Sequence, residues 1–156
     1  YLAQLGLKLE RPDLTLSIPP FLQHRLYDQY INRAQTNKVS GFHKLVSKTL
    51  VAMSIKHTNE VIVGGLSVDI EIPIGSLPGV SQPVIIEVNG PSHYFRDHSG
   101  SVRVSSEPVM IGFYRYKQRL LEKQGNTLIY IPYYEWDLLS TEDEKIKYLQ
   151  SKLRLR

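Results

Sequence analysis

The residues best suited to chemistry are two carboxylates in otherwise apolar segments, Asp69 within residues 66–72 and Glu87 within residues 84–89. An ionised carboxylate in such surroundings is costly unless it is paired or bound to a metal. Asn89 follows Glu87 by two positions, so both side chains point to the same face if the segment is a strand. We therefore expect three polar groups to converge if the two segments pair in one sheet.

An Asp on one strand and a Glu on the next can hold Mg²⁺ and activate water. Restriction-type nucleases use this layout, with a lysine two positions after the Glu. Here Asn89 occupies that position and carries no charge. If the chain were catalytic, the catalytic candidates would be Asp69, Glu87 and His93, and the metal ligands Asp69 and Glu87. We favour instead a structural role, in which backbone amides or Arg119 satisfy both carboxylates and anchor a loop, without catalysis, metal or other cofactor.

A second group of residues combines cations with aromatic rings, as is usual in single-stranded RNA recognition. Basic residues and tyrosines alternate within residues 114–119, and further aromatic and basic residues lie within residues 93–98. Cations contact phosphates, whereas exposed rings stack on unpaired bases. The alternative is a solvated basic helix face with no ligand. The predicted RNA contacts are Ser92, His93, Tyr94, Arg96, Arg115, Lys117 and Arg119.

Hydrophobic periodicity predicts the elements that position these residues. A helix is predicted after Pro19, and another begins at an N-cap Ser40 and presents the apolar stripe Phe42, Leu45, Val46, Leu50 and Met53. Strands are predicted at residues 60–63, 66–72, 84–89 and 127–132, with Gly64 and Gly65 forming a hairpin turn. Two further helices are predicted at residues 112–124 and 141–153.

The order of these elements predicts an α/β fold with an αβββαβ core, a mixed sheet flanked by helices. The third strand, the following helix and the fourth strand form a right-handed parallel βαβ unit. Residues 1–38 are predicted to be a helical extension, the end of an upstream helical region, and residues 40–156 the main domain. The irregular segment 90–111 is longer than most loops in compact domains, which favours a functional role.

Composition favours a polyanionic partner. The chain of 156 residues has a formal net charge of +4 and contains no cysteine, so neither disulfides nor a cysteine-based zinc site is expected. No apolar run approaches the length of a membrane-spanning helix, so a membrane partner is not expected. Because the chain begins at Tyr1, we expect it to be a fragment or processed product whose targeting signal lies upstream.

A family resemblance supports this interpretation. Residues 86–95, reading IEVNGPSHYF, resemble the signature of the RAP domain, a module abundant in apicomplexan parasites. The match continues through Gly112, Lys117, Arg119, residues 120–122 and Gly125, and closes with residues 131–136 and 144–149. These blocks lie in the family's order within residues 83–153. The family commonly has Asp where this chain has Asn89, and small residues where it has Phe113 and Tyr114.

The resemblance implies a restriction-endonuclease-like fold and RNA binding, in mitochondria or alternatively in plastids. Proteins of this family act in transcript processing and stability or in ribosome biogenesis within the organelle. The implied partners are organellar transcripts or rRNA, together with ribosomal or other ribonucleoprotein subunits. RAP domains commonly follow arrays of helical repeats, which agrees with the helical extension predicted at the start of the chain.

Two alternatives to non-catalytic RNA binding remain open. One is a Mg²⁺-dependent endoribonuclease that uses Asp69 and Glu87. The other is a protein-docking module within a ribonucleoprotein, in which the aromatic loop contacts protein. The salt dependence of binding separates RNA binding from protein docking, since affinity for RNA falls steeply with salt when several phosphates are neutralised.

Overall fold

The computed structural model describes residues 1–14, 17–36, 39–95 and 108–155. Its helices and strands follow each other as α1 (Leu2–Glu10), α2 (Pro20–Thr36), α3 (Gly41–Ala52), β1 (Thr58–Val63), β2 (Leu66–Ile72), β3 (Val84–Asn89), α4 (Gly112–Lys123), β4 (Thr127–Pro132), α5 (Tyr133–Trp136) and α6 (Glu142–Lys152). A single 3-10 turn, Pro91–His93, follows β3.

The four strands form one mixed sheet in the order β1-β2-β3-β4. The first three strands pair antiparallel, whereas β3 and β4 pair in parallel through the α4 crossover. The predicted α/β class, the four strands and the parallel unit are therefore confirmed. The relation to the restriction-endonuclease-like fold stays a prediction.

The β1–β2 hairpin turns at two glycines. Gly64 and Gly65 have φ of 55° and 81°, a left-handed conformation that costs glycine little. Along β2 every second residue is buried, beginning with Leu66. Strand β3 is buried at all six positions, as the mostly apolar sequence predicts for a central strand covered on both faces.

Two apolar clusters hold the helices on the sheet. The first joins α3 and α6 to Ile70, Ile72 and neighbouring strand residues. The second joins α1 and α4 to Leu66, Val68 and Ile85. The buried residues of β2 therefore contribute to both clusters. Those before Asp69 belong to the second cluster, and those after it belong to the first.

Helix α1 belongs to the second cluster because its leucines pack there. Gly6 approaches α4 so closely that a side chain at this position would collide with the Tyr116 hydroxyl. The predicted boundary between a helical extension and the main domain at residues 38–40 thus separates segments that pack together through α1 and α4.

The helix caps follow the sequence. Ser40 accepts a hydrogen bond from the backbone of His43, and Thr141 and Glu144 form a reciprocal capping box. The apolar stripe predicted for α3 is wrong at Leu45, which is 47% exposed, because this position faces away from the sheet. No helix in the described ranges is long and apolar enough to cross a membrane.

Candidate functional site

A cleft of about 860 Å³ opens beside the carboxyl end of β3. Its walls come from α2, α3, the first three strands, the 3-10 turn and the start of α4. The lining includes three carboxylates, two histidines and aromatic rings, from Tyr30, Arg33, His43, Glu60, Asp69, Glu87, Ser92, His93, Phe113, Tyr114 and Lys117. In open α/β sheets ligands bind at this edge of the strands, so the cleft is the candidate site.

Glu87 is paired with Lys117 at the base of the cleft. The Lys117 ammonium donates to both carboxylate oxygens at 2.8 and 2.7 Å, and the two side chains are only 14% and 4% exposed. Burial raises the pKa of Glu87 to about 7, although the ammonium opposes this. Burial alone would lower the pKa of Lys117, but Glu87 and Asp69 outweigh it and raise that pKa. Both groups are held in a charged, bidentate pair.

The Glu87–Lys117 pair changes the interpretation of Asn89 and Lys117. The ammonium that the sequence lacks at position 89 lies beside Glu87 after all, because α4 crosses over the sheet and brings Lys117 there. Lys117 was predicted as an RNA contact on an exposed helix face, whereas it is buried in the cleft wall. The suggested partner Arg119 instead pairs with Glu10.

Asp69 completes the pairing of β2 with β3. The last regular pair on this side is Ile70 with Ile86, and beyond it Asp69 Oδ2 accepts a 2.6 Å hydrogen bond from the Val88 amide. The predicted convergence of Asp69 with Glu87 is present, since the charge of Asp69 contributes to the raised pKa of Glu87. The structural role proposed for Asp69 from sequence agrees with the amide contact.

The mouth of the cleft carries a histidine–tyrosine stack. His93 and Tyr114 lie parallel, with ring centroids 3.9 Å apart and planes inclined by 10°. His93 Nδ1 lies 3.1 Å from Asn89 Oδ1, so this nitrogen carries the hydrogen. Burial lowers the pKa of His93, so it is neutral near pH 7. Ser92 is exposed beside this stack.

The outer face of α4 forms a second, shallower hollow of about 460 Å³ lined by Arg115, Tyr116 and Arg119. Arg119 lies 5.2 Å from the centre of the Tyr116 ring, in a cation–π arrangement. Arg115 is exposed, and no carboxylate in the described part of the chain pairs with it. Two of the predicted RNA contacts thus share one face of α4.

The remaining predicted RNA contacts are Tyr94 and Arg96. Tyr94 is 5% exposed and packs edge-on against Tyr133 and Tyr134, so it supports the cleft without lining it. Trp136 is buried in the core. Arg96 lies outside the described residues.

Sequence reasoning did not select His43 or Glu60. The two side chains meet in the cleft, with His43 Nδ1 3.2 Å from Glu60 Oε1, and Asp69 joins them within a 4.8 Å group. The sequence contained one signal that His43 faces the interior. It lies three residues before buried Val46 and seven before buried Leu50, on the apolar face of α3. A histidine on such a face is ordinarily a core residue, and Glu60 lies in an ordinary strand pattern.

Comparison with known proteins agrees with this architecture. Residues 86–152, from β3 through α6, match the RAP domain model. Over 151 residues the chain is also 26% identical to a RAP domain-containing protein, chloroplastic, from Oryza sativa subsp. japonica, an alignment that covers 96% of this chain. The chain spans 21% of the length of that rice protein. The segment that contributes β3 and α4 to the candidate cleft is therefore similar to the RAP domain.

Proposed function

We propose that the chain binds single-stranded RNA at the mouth of the cleft and along the outer face of α4, without cleaving it. The match of residues 86–152 to the RAP domain model supports RNA binding at the level of the family. The observation that carries the proposal is the grouping of aromatic rings and cations beside the cleft, where Phe113 is 55% exposed next to the His93–Tyr114 stack. Rings of this kind stack on unpaired bases.

The charges divide the binding surface into two parts. Arg115 lies on the outer face of α4 and meets phosphates there, because arginine binds phosphate oxygens with two donors. Arg119 lies on the same face, where its pair with Glu10 leaves its remaining N–H groups for a phosphate. Lys117 is committed to Glu87 and neutralises it, so the carboxylate does not repel the RNA backbone. Ser92 and neutral His93 at the rim contribute hydrogen bonds and stacking to a base.

The test measures affinity for a labelled single-stranded RNA at several salt concentrations, with EDTA present. We expect log affinity to fall linearly with log salt, with a slope of about −0.7 per neutralised phosphate. Arg115→Ala should weaken binding and reduce the magnitude of that slope by about 0.7, since one phosphate contact is lost. Its matched control is Lys147→Ala, which removes one exposed charge from α6.

Loss of a stacking ring gives a second signature. Phe113→Ala should weaken binding about 5- to 150-fold, since a stacked base contributes about 1 to 3 kcal/mol. Phe21→Ala is the matched control because this ring is 74% exposed on α2 and does not line the cleft. Equal effects of the two substitutions would contradict the proposed surface. Binding that is weak and indifferent to salt would favour the protein-docking alternative.

We propose an organelle as the compartment, and organellar transcripts or rRNA as the RNA. The rice relative is described as chloroplastic, which favours a plastid over the mitochondrion. Imaging of the full-length protein fused to a fluorescent reporter tests the compartment. Crosslinking followed by RNA sequencing distinguishes transcripts from rRNA and shows whether ribosomal subunits are partners.

One observation favours the endoribonuclease as a second candidate. The Lys117 ammonium donates to Glu87, and the charge of Asp69 contributes to the raised pKa of Lys117, so a cation is present beside the carboxylates. Incubation of labelled RNA with Mg²⁺ or Mn²⁺ tests this activity. Metal-dependent cleavage that is lost in Asp69→Ala would establish the nuclease, and intact RNA in every metal would exclude it.

A further inference from the structure

Three potential metal ligands from three elements meet in one wall of the cleft. His43 comes from α3, Glu60 from β1 and Asp69 from β2, and one ligand atom of each lies within 4.8 Å of the others. Two ligands on opposite sides of one ion lie about 4 to 5 Å apart, since each bond is about 2.0 to 2.5 Å long. The three side chains are thus close enough to share one ion.

A chain of hydrogen bonds determines which nitrogen of His43 carries a hydrogen. His57 Nδ1 lies 2.9 Å from the Ile55 carbonyl oxygen, so it donates there. The Nε2 of neutral His57 therefore accepts from the Ser47 hydroxyl, 2.8 Å away. Ser47 Oγ in turn accepts from Asn59 Nδ2 at 3.2 Å.

This arrangement orients the Asn59 amide. Because its nitrogen faces Ser47, its Oδ1 is the atom that lies 2.9 Å from His43 Nε2. An amide oxygen only accepts, so His43 Nε2 carries the hydrogen and donates it. In the neutral ring the unprotonated atom is then Nδ1, which lies 3.2 Å from Glu60 Oε1.

Two lone-pair-bearing atoms therefore face each other across 3.2 Å in a place where His43 is 3% exposed. That contact is unfavourable unless a proton or a cation lies between the atoms, which means a second proton on the ring, a proton on Glu60 or a metal ion. Metal-bound histidines almost always donate their other ring N–H to an oxygen, as His43 does to Asn59. Asp69 is likewise held by the Val88 amide, which leaves its remaining lone pairs for an ion.

The backbone brings Glu60 into this position at a cost. Glu60 has φ of 54°, in the left-handed region that is uncommon for residues other than glycine, and it lies between the β1–β2 pairs Asn59–Ile70 and Val61–Val68. Glu60 and Asp69 bring carboxylate oxygens within 4.8 Å of each other, so a cation shared by the two carboxylates would relieve their repulsion.

We propose that His43 Nδ1, Glu60 and Asp69 form a binding site for one divalent transition-metal cation of the Zn²⁺ or Mn²⁺ class. An imidazole nitrogen with two carboxylates suits these ions, whereas Mg²⁺ and Ca²⁺ prefer oxygen ligands alone. Glu87 is not a ligand, because Lys117 occupies both of its oxygens. All three proposed ligands line the cleft.

Calorimetric titration of the full chain with Zn²⁺, Mn²⁺ and Mg²⁺, in the absence of RNA, tests the site. We expect one ion per chain, with Zn²⁺ bound more tightly than Mn²⁺ and Mg²⁺ at least tenfold more weakly than Mn²⁺. Glu60→Gln, on a partly exposed side chain, should weaken Zn²⁺ binding at least tenfold while the circular dichroism spectrum stays unchanged. Asn59→Ala removes the partner of His43 and should weaken it about 10- to 100-fold.

Two control variants separate this site from others. Glu71→Gln changes a carboxylate two positions from Asp69 on β2 and should leave binding unchanged. His24→Gln removes the exposed His24–Asp28 pair on α2, a second histidine–carboxylate combination, and should also have no effect. Loss of binding in His24→Gln but not in Glu60→Gln would overturn the proposal, as would the absence of sub-millimolar Zn²⁺ binding.

A spectroscopic readout identifies the atom that binds. In ¹⁵N spectra of the histidine rings, Zn²⁺ should shift His43 Nδ1 while Nε2 keeps its hydrogen. A His43 ring that is doubly protonated at pH 7 and unchanged by Zn²⁺ would show a simple ion pair with Glu60 and refute the site. Because no RNA is present, this outcome is independent of the proposed RNA binding.

Discussion

The buried pair of Glu87 and Lys117 offers a quantitative test. Lys117→Met leaves Glu87 without its bidentate partner in a site that is almost closed to water. Removing one member of a buried ion pair costs about 3 to 5 kcal/mol. For a chain of 156 residues each kcal/mol shifts the melting temperature by about 2 to 4 °C. We therefore expect the variant to melt about 6 to 20 °C below the parent at pH 8.

The cost of Lys117→Met should depend on pH. Burial already raises the pKa of Glu87 to about 7 with the ammonium present, so without it this pKa rises further. A carboxyl whose folded pKa is raised contributes stability below its unfolded pKa and loses it as pH increases through the folded pKa. Because Glu87 of the parent also titrates at about 7, the variant should lose about 1.4 kcal/mol more than the parent for each pH unit above 7. At pH 5 the carboxyl is protonated in both proteins, so the cost should be about 1.4 kcal/mol smaller than at pH 8.

Urea unfolding followed by circular dichroism at pH 5, 6.5 and 8 measures this dependence. The double variant Glu87→Leu with Lys117→Met should recover most of the lost stability, since replacing both members of a buried pair is often neutral. Lys123→Met, an exposed lysine on the same helix, is the matched control. A cost for Lys117→Met that is equal at pH 5 and pH 8, or no recovery in the double variant, would refute the reasoning.

Three further predictions concern other parts of the molecule. Thr141→Ala removes the side-chain half of the α6 capping box and should cost about 1 kcal/mol of unfolding free energy, measured by urea denaturation. Burial lowers the pKa of His93, so its NMR titration midpoint should lie below 6.5, and its contribution to stability should be lost as pH falls below that value. Gly6→Val should push α1 away from Tyr116, which faster amide exchange in α1 would reveal; unchanged exchange would contradict this packing.

Local patterns in the sequence were sufficient for much of the fold. Strict alternation along β2, the apolar run of β3, the glycine pair at the hairpin and the helix caps each depend on neighbouring residues alone. The convergence of Asp69 with Glu87 followed from the same reasoning, because adjacent antiparallel strands place such residues side by side. The residues that match the RAP signature indicated the resemblance to that family.

The tertiary structure decided which residues act together in the cleft. Lys117 is 30 residues from Glu87 in the chain, and on α4 it looks like one more solvated cation among Arg115 and Arg119. It reaches Glu87 only because the parallel crossover lays this helix over the sheet. The sequence pattern therefore assigned Lys117 to an exposed face, and the packing placed it in the wall of the cleft.

The contact between His43 and Glu60 also could not be predicted from the sequence. Each lies in a pattern typical of its own helix or strand, and their meeting depends on how α3 docks against the β1–β2 hairpin. Docking angles arise from the sum of many small side-chain contacts, which no short stretch of sequence contains. The sequence by itself determined the elements, the resemblance to the RAP domain and the strand carboxylates, whereas only tertiary packing decided that a lysine would neutralise Glu87 and that a histidine and a glutamate would join Asp69.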